Sequence, residues 1–174
     1  MKKTLIALAL VAVLPLSAQA AERSYTYVEG TYNNIDGDVD GFGVRGSFDF
    51  GTSGLYGLGS YTNYSENSAD LDVWELGLGY KHQLSDSLDL IAEGAYADFD
   101  IADGYRASVG LRTSFTDNVE GLLKANYRDG SDFDGNFTGT AGLLVNFSET
   151  WGMTGEVEFD DGGEIYTVGL RASY

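Results

Sequence analysis

The feature that most constrains the fold is a strict alternation of apolar and polar residues, which is clearest in the last eleven residues, Glu164 to Tyr174. Successive side chains of a β-strand point to opposite faces, so this segment has one apolar face and one polar face. The apolar face carries Tyr166, Val168, Leu170, Ala172 and Tyr174, and the polar face carries Thr167, Gly169, Arg171 and Ser173.

The same alternation recurs along the chain and defines ten candidate strands, although the facing of the first and the third is ambiguous. They are Ser24–Tyr32, Asp40–Phe50, Leu55–Tyr64, Asp72–His82, Ser87–Phe99, Tyr105–Phe115, Val119–Arg128, Phe137–Phe147, Trp151–Asp160 and Glu164–Tyr174. We therefore predict an all-β fold, a single antiparallel up-and-down β-barrel of ten strands, or of eight if the two ambiguous segments pair poorly.

The amino terminus has the features of a secretory signal peptide. Lys2 and Lys3 precede an apolar run, Leu5 to Leu14, which is followed by the small-residue stretch Ser17 to Ala20. The run is shorter than the ~20 apolar residues that a membrane-spanning helix needs. We predict that residues 1–20 are cleaved and that residues 21–174 form the barrel domain.

Composition narrows the possible partners. Pro15 is the one proline, so the rest of the chain keeps every backbone amide available for strand pairing. The sequence has no cysteine, which excludes disulfides. The formal charge is −17, and removal of Lys2 and Lys3 takes it to −19. Such an acidic chain repels the phosphates of nucleic acids, so we exclude nucleic acid as a partner.

The connections between candidate strands fall into two alternating classes. Four are very short, and the other five are longer and acidic, without lysine or arginine. In outer-membrane barrels the short turns are periplasmic and the longer loops are extracellular. The short turns are Gly51–Gly54, Gln83–Asp86, Thr116–Asn118 and Ser148–Thr150.

Two further patterns indicate that the apolar face meets lipid and that the protein resides in the cell outer membrane. Aromatic residues cluster at both strand ends, as membrane interfaces require. Charges of both signs lie at mid-strand depth on the polar face, where they would form an ion-pair network in the lumen. The predicted network comprises Arg45, Glu75, Glu93, Arg106, Arg112, Glu120, Lys124, Glu156 and Arg171.

The closing strand also predicts partners. A terminal strand that ends on an aromatic residue is typical of the signal by which the barrel assembly machinery recognises its substrates. We assign this role to Tyr166, Val168, Leu170 and Tyr174. Outer-membrane lipid and lipopolysaccharide are the other expected partners, and we expect a monomer.

Several stretches near the amino terminus carry a family resemblance. These are Ala21-Glu22, Ser24 to Tyr27, Val28-Glu29 and the turn Asp36 to Gly41. They resemble the small outer-membrane β-barrel family described as a sulfation-dependent quorum factor and linked to diffusible-signal-factor regulation. The resemblance implies an abundant outer-membrane protein that affects motility, biofilm or virulence behaviour.

Catalysis and metal binding are the two chemistries to which individual residues point. The one histidine, His82, lies at the short-turn end, whereas barrel enzymes use histidine mostly near the outer rim or on the barrel wall, so we predict no enzymatic activity. Asp36, Asp38 and Asp40 match the opening of a calcium loop, but the closing glutamate is missing because Ser47 occupies that position. We favour a solvated hairpin there and expect no cofactor beyond weak collective binding of Ca²⁺ or Mg²⁺ at the acidic loops.

These observations favour an integral outer-membrane barrel with a structural or cell-surface interaction role, acidic extracellular loops and an ion-paired lumen. A narrow porin-like channel for ions or small solutes is the alternative, because small residues such as Ser108 and Gly110 alternate with the inward charges. A secreted soluble β-barrel binding protein is the third interpretation.

Overall fold

The chain forms a closed antiparallel barrel of ten strands, each hydrogen-bonded to its sequence neighbours, with the last strand closing on the first. The computed structural model describes residues 23–66, 69–98, 103–131, 135–160 and 163–174, and the predicted signal peptide lies outside them. The strands are β1 (Tyr27–Ile35), β2 (Val39–Asp49), β3 (Leu55–Glu66), β4 (Ala69–Ser85), β5 (Leu88–Asp98), β6 (Asp103–Thr116), β7 (Val119–Gly130), β8 (Asn136–Asn146), β9 (Trp151–Asp160) and β10 (Gly163–Ser173). The prediction of a ten-stranded barrel is confirmed.

The closing pair is in full register. β1 and β10 pair from Tyr27 opposite Ser173 to Ile35 opposite Ile165, so neither strand keeps an unpaired edge. β1 begins at Tyr27, three residues later than predicted, although Thr26 O still accepts from Tyr174 N at 2.9 Å.

The structure also settles the facing of the two ambiguous strands. In β1, Val28 and Tyr32 are exposed outside, whereas Glu29 is buried inside. In β3, Tyr61 faces out and Tyr56 is buried inside. Parity alone could not assign them, because tyrosine occurs on both faces of β1 and β3 is rich in glycine.

The outer face of the barrel is apolar. Phe42, Leu76 and Leu78 are 70%, 66% and 60% exposed. In a water-soluble protein, large apolar side chains of this kind would mostly be buried in the core. Aromatic side chains contact each other at the acidic-loop end, with ring centroids 5.3 Å apart for Tyr32 and Phe42 and 5.5 Å for Trp74 and Tyr96. An apolar band beneath an aromatic girdle, around a polar interior, is the arrangement of an outer-membrane barrel, and it places the protein in the outer membrane.

No helix among the described residues is long and apolar enough to cross a membrane.

Closure of the barrel leads to a direct prediction for gel mobility. A barrel without edges resists unfolding by detergent, so the unboiled protein from the outer-membrane fraction should migrate faster on an SDS gel than the boiled protein. A soluble pool that showed no heat-dependent shift would contradict the membrane location.

Candidate functional site

The lumen holds every cationic side chain beyond residue 20, and each of the eight lies within ion-pair distance of a carboxylate. The pairs are Arg23–Asp89 at 2.8 Å, Arg45–Glu29 at 2.7 Å, Arg45–Glu156 at 2.6 Å, Lys81–Asp49, Arg106–Glu75 at 2.6 Å, Arg112–Glu120 at 2.7 Å, Lys124–Glu93 at 3.1 Å, Arg128–Glu158 at 2.5 Å and Arg171–Glu29 at 2.6 Å. Eight carboxylates thus meet eight cations, and the pairs sum to no net charge. The excess negative charge of the chain lies outside them.

Glu29 is the centre of the most buried cluster, and its side chain is fully enclosed. Its Oε1 accepts from Arg45 Nη2 at 2.7 Å and from Thr154 Oγ1 at 2.6 Å, and its Oε2 accepts from Arg171 Nε at 2.6 Å. Arg45 also donates to both oxygens of Glu156 at 2.8 and 2.6 Å. The cluster therefore links β1, β2, β9 and β10 across the seam where the barrel closes.

Two arginines face each other directly across neighbouring strands. Arg106 on β6 is the register partner of Arg128 on β7, an arrangement of like charges that is unfavourable by itself. Arg106 pairs with Glu75 on β4, and Arg128 pairs with Glu158 on β9. The two guanidinium groups are thus neutralised by carboxylates on two different strands, β4 and β9.

The remaining predicted network residues also lie on the inner face. Glu93 accepts from Tyr56 Oη at 2.8 Å and from Lys124 Nζ at 3.1 Å. Arg112 Nε donates to Glu120 at 2.8 Å. The structure thus brings all nine predicted residues into the lumen, in separate pairs and one larger cluster. Sequence reasoning missed Arg23, Lys81 and Arg128 with their partners Asp89, Asp49 and Glu158.

Among the described residues, the outer half of the lumen is open, and both charged and apolar side chains line it. A cavity of about 560 Å³ extends from the acidic-loop end, near Ile35 and Leu71, to mid-barrel depth at Arg45 and Glu156. We call it the vestibule. A smaller cavity of about 90 Å³, the mid-lumen cavity, lies below it, and Arg45, Glu93 and Glu156 line both.

Side chains of residues that precede β1 enter the lumen near its short-turn end. Arg23 donates from Nε and Nη2 to the two carboxylate oxygens of Asp89, each at 2.8 Å, and Tyr25 Oη donates to Asp89 Oδ2 at 2.9 Å. Tyr25 is 5% exposed, and its burial raises the pKa of the hydroxyl, which keeps the proton that it donates. The inward alternation of Arg23, Tyr25, Tyr27 and Glu29 was the sequence signal that could have revealed this segment.

The structure does not assemble the predicted metal site at Asp36, Asp38 and Asp40. Asp36 and Gly37 have φ of 53° and 88°, and Asp38 N donates to Ile35 O at 3.0 Å, so the three residues between Ile35 and Val39 form a tight hairpin turn. Asp40 instead accepts from Tyr32 Oη and Asn34 Nδ2, and Asp36 accepts from the backbone of Glu164. Within the described ranges, no three His, Cys, Asp or Glu residues are grouped closely enough to hold a metal ion. Collective binding of divalent cations at the loops stays a prediction.

His82 and the proposed assembly signal lie away from the lumen. His82 is exposed on the outer face of β4, beyond Tyr80, so it contributes nothing to the lumen site. Tyr166, Val168 and Leu170 are exposed by 43%, 49% and 50% on the outer face of β10, and Tyr174 is exposed at the chain end. Recognition by the assembly machinery stays a prediction.

Comparison with solved structures finds a similar fold in another β-barrel. The chain is similar to the KdgM porin in complex with disordered oligogalacturonate, with a TM-score of 0.57 and 13% identity, covering 85% of this chain and 99% of that chain. A second structure of KdgM porin gives a TM-score of 0.56 and 11% identity with the same coverage. At this identity the likeness shows the fold alone.

No family model matches the chain. No curated protein matches it either. The resemblance to the quorum-factor family therefore stays a prediction.

Proposed function

We propose that the protein is a narrow porin-like channel that passes small cations and neutral solutes across the outer membrane. The observation that carries the proposal is the vestibule of about 560 Å³, whose lining includes eight charged side chains. Among the described residues, it opens at the acidic-loop end and continues into the mid-lumen cavity. A barrel with a purely structural role needs no such space, because its interior is best stabilised by close packing. This favours a channel over the structural or surface-interaction role that the sequence indicated first.

The distribution of charge supports selectivity for cations. Thirteen Asp and Glu residues lie in the five acidic loops, which contain no lysine or arginine and span residues 36–40, 65–71, 98–104, 129–136 and 160–163. The lumen beneath them is lined by charges that neutralise one another in pairs. A negative mouth above a neutral passage concentrates cations and repels anions. For this reason we do not propose an acidic oligosaccharide, such as the oligogalacturonate of the KdgM complex, as the solute of this channel.

The proposal predicts a small, cation-selective conductance. Refolded protein in a planar bilayer should give discrete current steps, and under a KCl gradient the reversal potential should shift towards that of K⁺. Since the Debye length falls from about 10 Å at 0.1 M salt to about 3 Å at 1 M, the selectivity should weaken as salt is raised.

The salt series is also the internal control, because selectivity that arises from the lumen itself would change little with bulk salt. A folded, heat-modifiable barrel that gave no current, or one that preferred chloride, would contradict the proposal. The first of these results would favour the structural role.

A further inference from the structure

We infer that the segment Arg23–Thr26 is a plug for the periplasmic end of the lumen, and that Tyr25 sets the size limit for solutes that cross it. The inference deepens the proposed channel function and rests on it. Three features support it: how the segment is held, what surrounds Tyr25 and where the open spaces of the lumen end.

The segment is held mainly by contacts with the barrel wall around it. Besides its paired contacts with Asp89, Arg23 donates from Nη1 to Asp86 O at 3.1 Å and to Ser114 Oγ at 3.2 Å. The carbonyl of Ser24 accepts from Arg112 Nη1 at 2.8 Å. These partners belong to β5, β6 and the turns beside β5, on the far side of the lumen from β1 in strand order. On the near side, Ser24 Oγ donates to Tyr174 O and Thr26 O accepts from Tyr174 N, both at 2.9 Å. The Arg23 and Arg112 side chains therefore bridge the lumen between this segment and the opposite wall.

Tyr25 forms the centre of an apolar layer at this level. Its ring lies 5.0 Å from that of Tyr56, and both pack with Ile91, which is 3% exposed. Leu58 and Leu122 complete the cluster. These residues project inward from β3, β5 and β7, so apolar side chains extend across the lumen at this level.

Cations also contact the Tyr25 ring. Lys81 Nζ lies 4.3 Å and the Arg112 guanidinium 4.5 Å from its centroid. Both distances are typical of cation–π contacts, and such contacts are worth more where water is excluded. Removal of the ring would therefore loosen two charged side chains as well as open the apolar layer.

The open spaces of the lumen end at this layer. The mid-lumen cavity has Tyr25 and Arg112 in its lining. A separate space of about 470 Å³ lies at the short-turn end and is lined by Arg23, Lys81 and Asp89 among others. The two spaces share no lining residue, so the layer around Tyr25 divides the interior.

The test is Tyr25→Ala compared with Tyr80→Ala. Tyr80 faces outward near the same barrel end and is 47% exposed, so its loss leaves the lumen unchanged. We expect Tyr25→Ala to raise the single-channel conductance roughly two-fold or more, because the narrowest section limits current through a barrel of fixed diameter. In liposome swelling, it should admit neutral oligosaccharides that the wild type excludes, and Tyr80→Ala should match the wild type in both assays.

A second variant keeps the test decisive if Tyr25→Ala does not fold. Arg23→Gln removes the ion pair with Asp89 but leaves the apolar layer in place, and it should increase the frequency of brief high-conductance openings. Heat-modifiability on a gel reports folding for each variant.

The outcomes separate the plug from the channel. If the wild type conducts and the variants behave like it, the plug is wrong and the channel stands. If the wild type is silent and Tyr25→Ala conducts, the plug stands, and the wild-type barrel is not an open channel. If all folded variants are silent, both the plug and the channel are contradicted.

Discussion

Replacing Glu29 by alanine is expected to lower the free energy of unfolding by about 3 to 5 kcal/mol, since loss of one partner leaves buried charges uncompensated. Glu29 is fully enclosed and accepts from Arg45, Arg171 and Thr154. Arg45 keeps Glu156 as a partner, but no second ion pair is found for Arg171 among the described residues. Because this cluster joins β1 to β10, the loss should be felt where the barrel closes.

The measurement is the urea concentration at which half of the barrel, refolded into lipid vesicles, is unfolded. The folded fraction is read from the amount of the compact form on an unheated gel. Asp49→Ala is the matched control, because Asp49 pairs with Lys81 in a site where both side chains are more than 20% exposed. A pair of that kind contributes about 0 to 1 kcal/mol. Equal losses for the two variants would show that Glu29 has no special role in closure.

The strand count was predictable because the barrel imposes one simple rule on every strand. Lipid requires apolar side chains on one face, and the lumen accepts polar ones on the other, so the sequence alternates with period two. In β2, for example, Phe42 and Val44 face out and Arg45 faces in. The rule left β1 and β3 unassigned, because tyrosine occurs on both faces of β1 and β3 is rich in glycine. It also fails at Ile91 and Leu122, which are apolar but project into the lumen.

The sequence predicted which charged residues face the lumen, but it did not predict which of them pair with each other. Parity assigned Arg106 and Glu75 to the lumen, but it could not show that they would meet from β6 and β4, across the intervening strand β5. That depends on the stagger of the strands and on the small diameter of the barrel, which no local pattern encodes. The pair of Arg171 and Glu29 is the exception, because the two residues lie on adjacent strands in direct register once the last strand pairs with the first.

The plug segment was missed for a related reason. Arg23 and Tyr25 precede β1, and the sequence pattern alone suggested that Ser24 and its neighbours begin the first strand. Their contacts with Asp89 and Tyr56 join residues far apart in the sequence. Only a closed barrel, which leaves an unfilled end for the chain to enter, brings these side chains together.

Introducing arginine at Leu78 is expected to destabilise the barrel by about 2 to 4 kcal/mol, the cost of a cation at the bilayer midplane. Leu78 lies on the outer face of β4, is 60% exposed and sits opposite Gly57 and Gly94 on the neighbouring strands. In water the same substitution on an exposed side chain would cost little. The size of the loss therefore measures whether lipid surrounds this face.

Leu84→Arg is the matched control for this membrane test. Leu84 lies on the same strand, is 52% exposed and comes four residues after Tyr80, at the irregularity that ends β4. At that depth a cation meets the aqueous interface, where the cost falls to about 0 to 1 kcal/mol. Unfolding midpoints in vesicles should therefore separate the two variants widely. If both variants were as stable as the wild type, the outer face would be in contact with water, and the third interpretation, a secreted soluble barrel, would replace the membrane barrel.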